Sequence, residues 1–407
     1  MDNWLDFDAS KTIRDFDFTR RAVQGMYHVM DADNFRSEDA DMIFKYLSEG
    51  MEIVNFNDYL KRYLFATYHL GVSFRETPDS EYARIIDEEF EKNEAPHSFT
   101  STVKKWSAII KDWLSRETVR RQTIFVLGFG LGMDDNTVSE FLTKVIKEED
   151  FDFGDIEELC FFYAFKNHLH YDKVKQLMDE LDDIKPAGDL DGERWIEIKS
   201  DPKNKLCDEE TLRFYVQGLK LFNVIEEKSK TLAETFKKLY DDSRRVVADI
   251  YNKYDFTDIQ KDHAHVWTAA EIAPGDIEKI LCSGIPTGST GNLQKMSASL
   301  LAKQFSLKRM SRQRIDSILK GKQRVERFDL ITLLFFVYAV EVEPDWPAER
   351  YLQYVDAINE LLRECDMMEI YPVNPYEAFV LMCLVTDEPL SVYSEIWEKS
   401  YENGGKD

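Results

Sequence analysis

Glycine and proline are scarce, at 17 and 11 of 407 residues. So little turn-forming material argues against an all-β chain and against a disordered linker protein. Cysteine is scarcer still. Cys160, Cys207, Cys282, Cys365 and Cys383 are odd in number, scattered, and form no Cys-x-x-Cys pair. That pattern speaks against a disulfide framework or a zinc knuckle and for free thiols in a reducing compartment. No apolar run approaches the ~20 residues of a membrane span. The opening Met1-Asp2-Asn3-Trp4-Leu5-Asp6 lacks the basic start and apolar core of an export signal. The expected location is cytoplasmic, with no membrane partner. Positive charge is in deficit too, with 52 Lys and Arg against 77 Asp and Glu and a net charge of −25, which excludes a protein basic throughout.

What the sequence has is helical periodicity over a length too great for one core. Met42, Ile43, Tyr46 and Leu47 fall on one face of Ala40–Leu47. Leu60, Tyr63, Leu64 and Tyr68 repeat the pattern, as do Tyr82, Ile85, Ile86 and Phe90. The polar stretch Asn93–Ser101 reads as a boundary, and the acid-rich Asp179–Glu193 as a linker. Asp208–Tyr254 predicts one long helix or a hairpin, with Leu232, Phe236, Leu239, Val246, Val247 and Ile250 as its stripe. Only Trp195–Lys199 offers any alternation suggestive of a strand. The expected fold is all-α: several small helical bundles, one or two helix-turn-helix-like units, and a long central helix or hairpin. The expected segments are an N-terminal bundle (1–92), a helical unit (93–185), a linker with the long helix (186–270), a basic unit (271–345) and a C-terminal helical subdomain (346–407).

One window is chemically unlike the rest. Phe305–Phe328 carries Lys308, Arg309, Arg312, Arg314, Lys320, Lys322, Arg324 and Arg327 against Asp316 and Glu326, a net +6 that leaves −31 for the remainder. A cationic patch on an anionic chain suits phosphate binding, or equally a basic face docked on an acidic face of the same protein. Within it Ser311 is placed to cap a helix Arg312–Leu319 with Ile315, Ile318 and Leu319 inward. Gly321 supplies the stop. A further helix from Arg327 follows, with Leu330, Leu333, Leu334 and Val337 inside.

Leu301-Ala302, Ser311, Gln313, Ile315, Ile318, Gly321-Lys322 and Leu330–Leu334 together resemble the lambda-repressor/Cro-like (XRE-type) helix-turn-helix family over residues 296–345. The stretch Phe305–Met310 is about three residues longer than that family's turn and lacks its glycine. The resemblance implies a recognition helix whose Ser311, Gln313 and Arg314 meet DNA. Arg312 flanks them, and Lys320, Lys322, Arg324 and Arg327 are placed to anchor phosphates. A weaker second copy at residues 98–146 is suggested by Val119–Leu127 running parallel to Val325–Leu333. Its Ser101-Thr102-Val103 would open a helix, and Lys104, Lys105, Arg120 and Arg121 would be its phosphate-contacting residues, with Lys111 and Arg116 adding charge.

Other motifs carry less. His168-Leu-His170 and His263-Ala-His265 have no obvious third metal ligand nearby beyond Asp172 and Asp262. The loop Gly284–Gly291 lacks the Gly-Lys-Ser/Thr ending of a phosphate cradle. No nucleophile has an evident base, so neither catalysis, metal nor cofactor is expected. Two functions are favoured over a third, an enzyme whose site the sequence hides. One is a cytoplasmic, bacterial, non-catalytic regulator of transcription that binds duplex DNA. The other is an acidic helical scaffold that has lost DNA binding and meets a protein partner or another copy of itself.

Overall fold

The computed structural model describes residues 40–50, 55–70, 74–100, 104–186, 188, 190–254, 265–287, 289, 292–305, 309–341, 347–372 and 374–404. The fold is all-α, with nineteen α-helices and no strand among the described residues. They group into two compact units. One comprises described residues 55–227; the other comprises 40–50 and 228–404. Among the described residues no helix is long and apolar enough to cross a membrane.

Helix α1 (Ala40–Lys45) belongs to the second unit. The first unit runs from α2 (Phe56–Tyr68) and α3 (Asp79–Lys92) through α4 (Trp106–Ser115) and α5 (Arg121–Gly130). Then come α6 (Asp135–Glu140), continued by a π-helical turn Phe141–Val145, then α7 (Ile156–Lys166) and α8 (Tyr171–Asp182). The unit closes with α9 (Gly192–Ser200), α10 (Pro202–Lys205) and α11 (Glu209–Leu221). Helix α4 lies against α2 and α3, α7 packs on α8 and α6, and α9 pairs with α11. Helices α5 and α7 are apolar around most of their circumference, so both are central. Close approach explains two glycines: a Cβ at Gly130 would stand 2.0 Å from the Phe90 ring, and one at Gly218 2.0 Å from Trp195.

The second unit contains α12 (Val224–Tyr254), most of whose length lies beyond the division at Glu227, and then α13 (Pro274–Leu281), α14 (Leu300–Phe305) and α15 (Arg312–Leu319). It ends with α16 (Arg327–Glu341), α17 (Pro347–Glu364), α18 (Pro375–Leu384) and α19 (Pro389–Gly404). Helix α16 packs on α17 and α18, α18 on α19, and α13 on α15. Leu330 and Leu333 are fully buried, each contributing about 1.5–3 kcal/mol of apolar transfer.

Several expectations are met locally. Ser311 accepts from the Arg314 amide at 3.2 Å and so caps α15. The stripe Phe236, Leu239, Val246 and Val247 is buried. Others need correcting. Met42 and Leu319 are 52% and 40% exposed, not inward, because each helix is short and its apolar arc narrower than the pattern implied. Of the two readings of Asp208–Tyr254 the single long helix fails: the segment forms two helices, divided where Asn223 adopts a left-handed conformation. Trp195–Lys199 is helical, opened by the Asp191 carboxylate accepting from the Glu193 and Arg194 amides. Helix α8 extends to Asp182, into the expected linker. Ser101, Thr102, Val103, His263, Lys308, Gly288 and Gly291 lie outside the described residues.

Lys147 follows the π-helical turn with a φ of 55° and is 5% exposed. Its Nζ donates to the Val145 carbonyl at 3.0 Å. Burial alone moves its pKa from 10.5 down to about 7. Unfolding therefore takes up a proton between those values. The contribution of Lys147 to stability is most favourable above pH 10.5 and is lost as pH falls towards 7, by on the order of 4 kcal/mol. The expected outcome is that the urea midpoint of the first unit rises between pH 7 and 9. In Lys147→Met that rise is largely abolished and stability at pH 7 is higher.

Candidate nucleic-acid interface

Helix α15 presents two faces. Ile315 and Ile318 point inward, and α13 packs alongside them. Arg312 and Gln313 are exposed on its first turn. The aliphatic stem of Arg312 runs beside Gly275, whose added Cβ would be 3.3 Å from it. The turn that follows reverses at Gly321, with φ of 64°, and exposes Lys320, Lys322 and Arg324. Lys320 has Asp316 at 3.8 Å, too far for a hydrogen bond and easily surrendered to a phosphate.

Arg314 is different. Its Nε and Nη2 donate to the two oxygens of Asp329 at 2.5 and 2.7 Å, and Glu326 lies at 3.2 Å. Asp329 is wholly buried and also accepts from the Glu326 amide at 2.7 Å. Burial opposes the charge on Arg314, but its carboxylate partners outweigh this and hold it protonated. This latch fixes the turn between α15 and α16. The guanidinium assigned to base contact is thus already occupied within the fold.

Arg327 is also engaged internally. It donates through Nε to Glu377 Oε1 at 2.7 Å and through Nη2 to Oε2 at 3.0 Å. It further donates to the carbonyls of Met368 and Glu369. Glu377 stands in the first turn of α18, capped by Asn374, and accepts from the Tyr371 amide at 2.5 Å. One arginine thereby joins the start of α16, a loop and the start of α18.

In the first unit Lys105, Lys111 and Arg120 are exposed around α4 and the start of α5. Lys104 and Arg116 share Asp112 at 3.2 and 2.8 Å. Arg121 is bound within the fold. It donates to Glu158 at 2.7 and 2.6 Å and to the carbonyls of Glu149 and Asp150 at 2.5 and 2.6 Å. The structure therefore sorts the twelve candidates. Arg121, Arg314 and Arg327 stitch helices together, and Ser311 caps one. Lys104 is paired at the surface. Arg312, Gln313, Lys320, Lys322, Arg324, Lys105 and Arg120 are exposed.

Scanned against protein-family models, curated proteins and solved structures, the chain matches none. Among the described residues no group of three His, Cys, Asp or Glu side chains is arranged to hold a metal ion. His168 and His170 are not brought to one ligand set; the His170 ring lies 3.3 Å from the Asn93 carbonyl.

Sequence reasoning missed Asp329, Glu158 and Glu377, although a signal existed. Each is the third residue of its helix, the position from which an acid reaches back to the cap. Arg314→Ala strands a buried carboxylate and lowers the stability of the second unit by about 3–5 kcal/mol. Arg312→Ala, at an exposed site, changes it by less than about 0.5 kcal/mol. Urea denaturation of the two variants measures the contrast.

Proposed function

We propose that the protein is a non-catalytic nucleic-acid-binding protein whose α15 and following turn meet the phosphate backbone of a duplex. The observation that carries this reading is the exposure of Arg312, Lys320 and Lys322 within one short helix and turn of a chain whose net charge is −25. Cations held at the surface, against the charge of the whole, suit a polyanion. Gln313 is the exposed side chain best suited to a base edge, because Arg314 is spent on Asp329. Affinity would come mainly from phosphates and depend steeply on salt. A role in transcription regulation, as the helix-turn-helix resemblance implies, belongs to this reading.

The same latch favours a second reading. With Arg314 and Arg327 committed to Asp329 and Glu377, part of the basic window serves the fold. That suits a scaffold whose remaining cations meet an acidic protein.

Fluorescence anisotropy against a labelled random duplex, from about 50 to 200 mM salt, separates the two. Wild-type protein is expected to bind. Arg312→Ala/Lys320→Ala/Lys322→Ala is expected to flatten the log–log salt slope by about 2 to 3 units. No binding at the lowest salt refutes the nucleic-acid reading and leaves the scaffold.

A further inference from the structure

The two arginine clamps are alike in every part. Arg121 opens α5 and Arg327 opens α16. Each grips a glutamate at the third position of a later apolar helix: Glu158 in α7, buried from Leu159 to Phe165, and Glu377 in α18, buried throughout. Asp155 caps one and Asn374 the other, each accepting two amides. The carbonyls each arginine reaches lie nine and eight residues before its glutamate: Glu149 and Asp150, Met368 and Glu369. Six residues before it, an amide donates to the same carboxylate, from Asp152 at 2.9 Å and Tyr371 at 2.5 Å. Ahead of each clamp stands a short helix with a buried i, i+3 pair, Ile110 and Trp113 in α4, Ile315 and Ile318 in α15. Beyond each, the buried helix turns back into α8 or α19.

So many matched positions are not required by helical packing in general. We infer that the units carry two copies of one helical module, 106–182 and 312–404, and that the cationic surface around α4 is the counterpart of the α15 surface, a second face for a nucleic-acid backbone. This rests on the nucleic-acid reading of α15. What recurs residue by residue is buried and holds the module together. What recurs only as a sign of charge is exposed: Lys111 and Arg120 in one copy, with Lys105 at the cap just before it, and Arg312, Lys320 and Lys322 in the other. The Arg314–Asp329 latch is not part of the common frame, since Thr123 stands in α5 where Asp329 stands in α16.

The test is the salt dependence of binding to a labelled random duplex by the full chain. Four variants are compared with wild type: Lys105→Ala/Lys111→Ala/Arg120→Ala, Arg312→Ala/Lys320→Ala/Lys322→Ala, the six combined, and Lys230→Ala/Lys237→Ala/Lys238→Ala on α12 as a control of matched charge. Thermal melts confirm that each variant is folded; Lys105→Gln/Lys111→Gln/Arg120→Gln replaces the first if it is not. Each face variant is expected to flatten the slope by about 2 to 3 units, the combination by about the sum, and the control by less than one. If the α4 variant binds as wild type while the α15 variant does not, the second face is wrong and the α15 reading stands. A control that flattens the slope equally also overturns the second face. Failure of wild type to bind overturns both.

Discussion

A guanidinium taken out of water must find acceptors for five N–H donors in a fixed plane. Arg121 and Arg327 meet that demand in the same way, with two carboxylate oxygens and two successive carbonyls. This constraint sets three pieces of backbone at once: the start of one buried helix, the start of another, and the loop before it. Neither α5 nor α7, nor α16 nor α18, has a polar face to fix its rotation, because each is apolar nearly all round. Apolar packing gives such helices depth without orientation. The clamp supplies orientation at one end.

The basic residues divide on the same principle. A cation near a buried acid is worth more to the fold than to a ligand, since releasing it would strand the acid. Arg314, Arg121 and Arg327 are of that kind. Arg312, Lys322, Lys105, Lys111 and Arg120 project into water and can exchange solvent for phosphate at little cost. Sequence charge counts the two kinds together, so the net +6 of the basic window overstates what a ligand can meet.

The all-α fold was legible because it rests on local signals: periodic apolar residues, caps such as Ser311 and Asp134, and few breakers. Short helices were less so. Leu319 fits the inward pattern by spacing yet ends 40% exposed, since a helix of two turns buries only a narrow arc. The parallel between Val119–Leu127 and Val325–Leu333 was visible in the sequence, but not its cause. Glu158 lies 37 residues from Arg121, and Glu377 lies 50 from Arg327. No local pattern links such pairs.

Native-state amide hydrogen exchange on Glu377→Gln tests the clamp most directly. Amides of the loop before α18, Tyr371 among them, and of the first turn of α16 are expected to lose protection together, while the Asp152 amide in the first unit keeps its own. Unchanged protection around Tyr371, or a loss confined to the first turn of α18, would contradict the role of the Arg327–Glu377 pair in orienting α16 and α18.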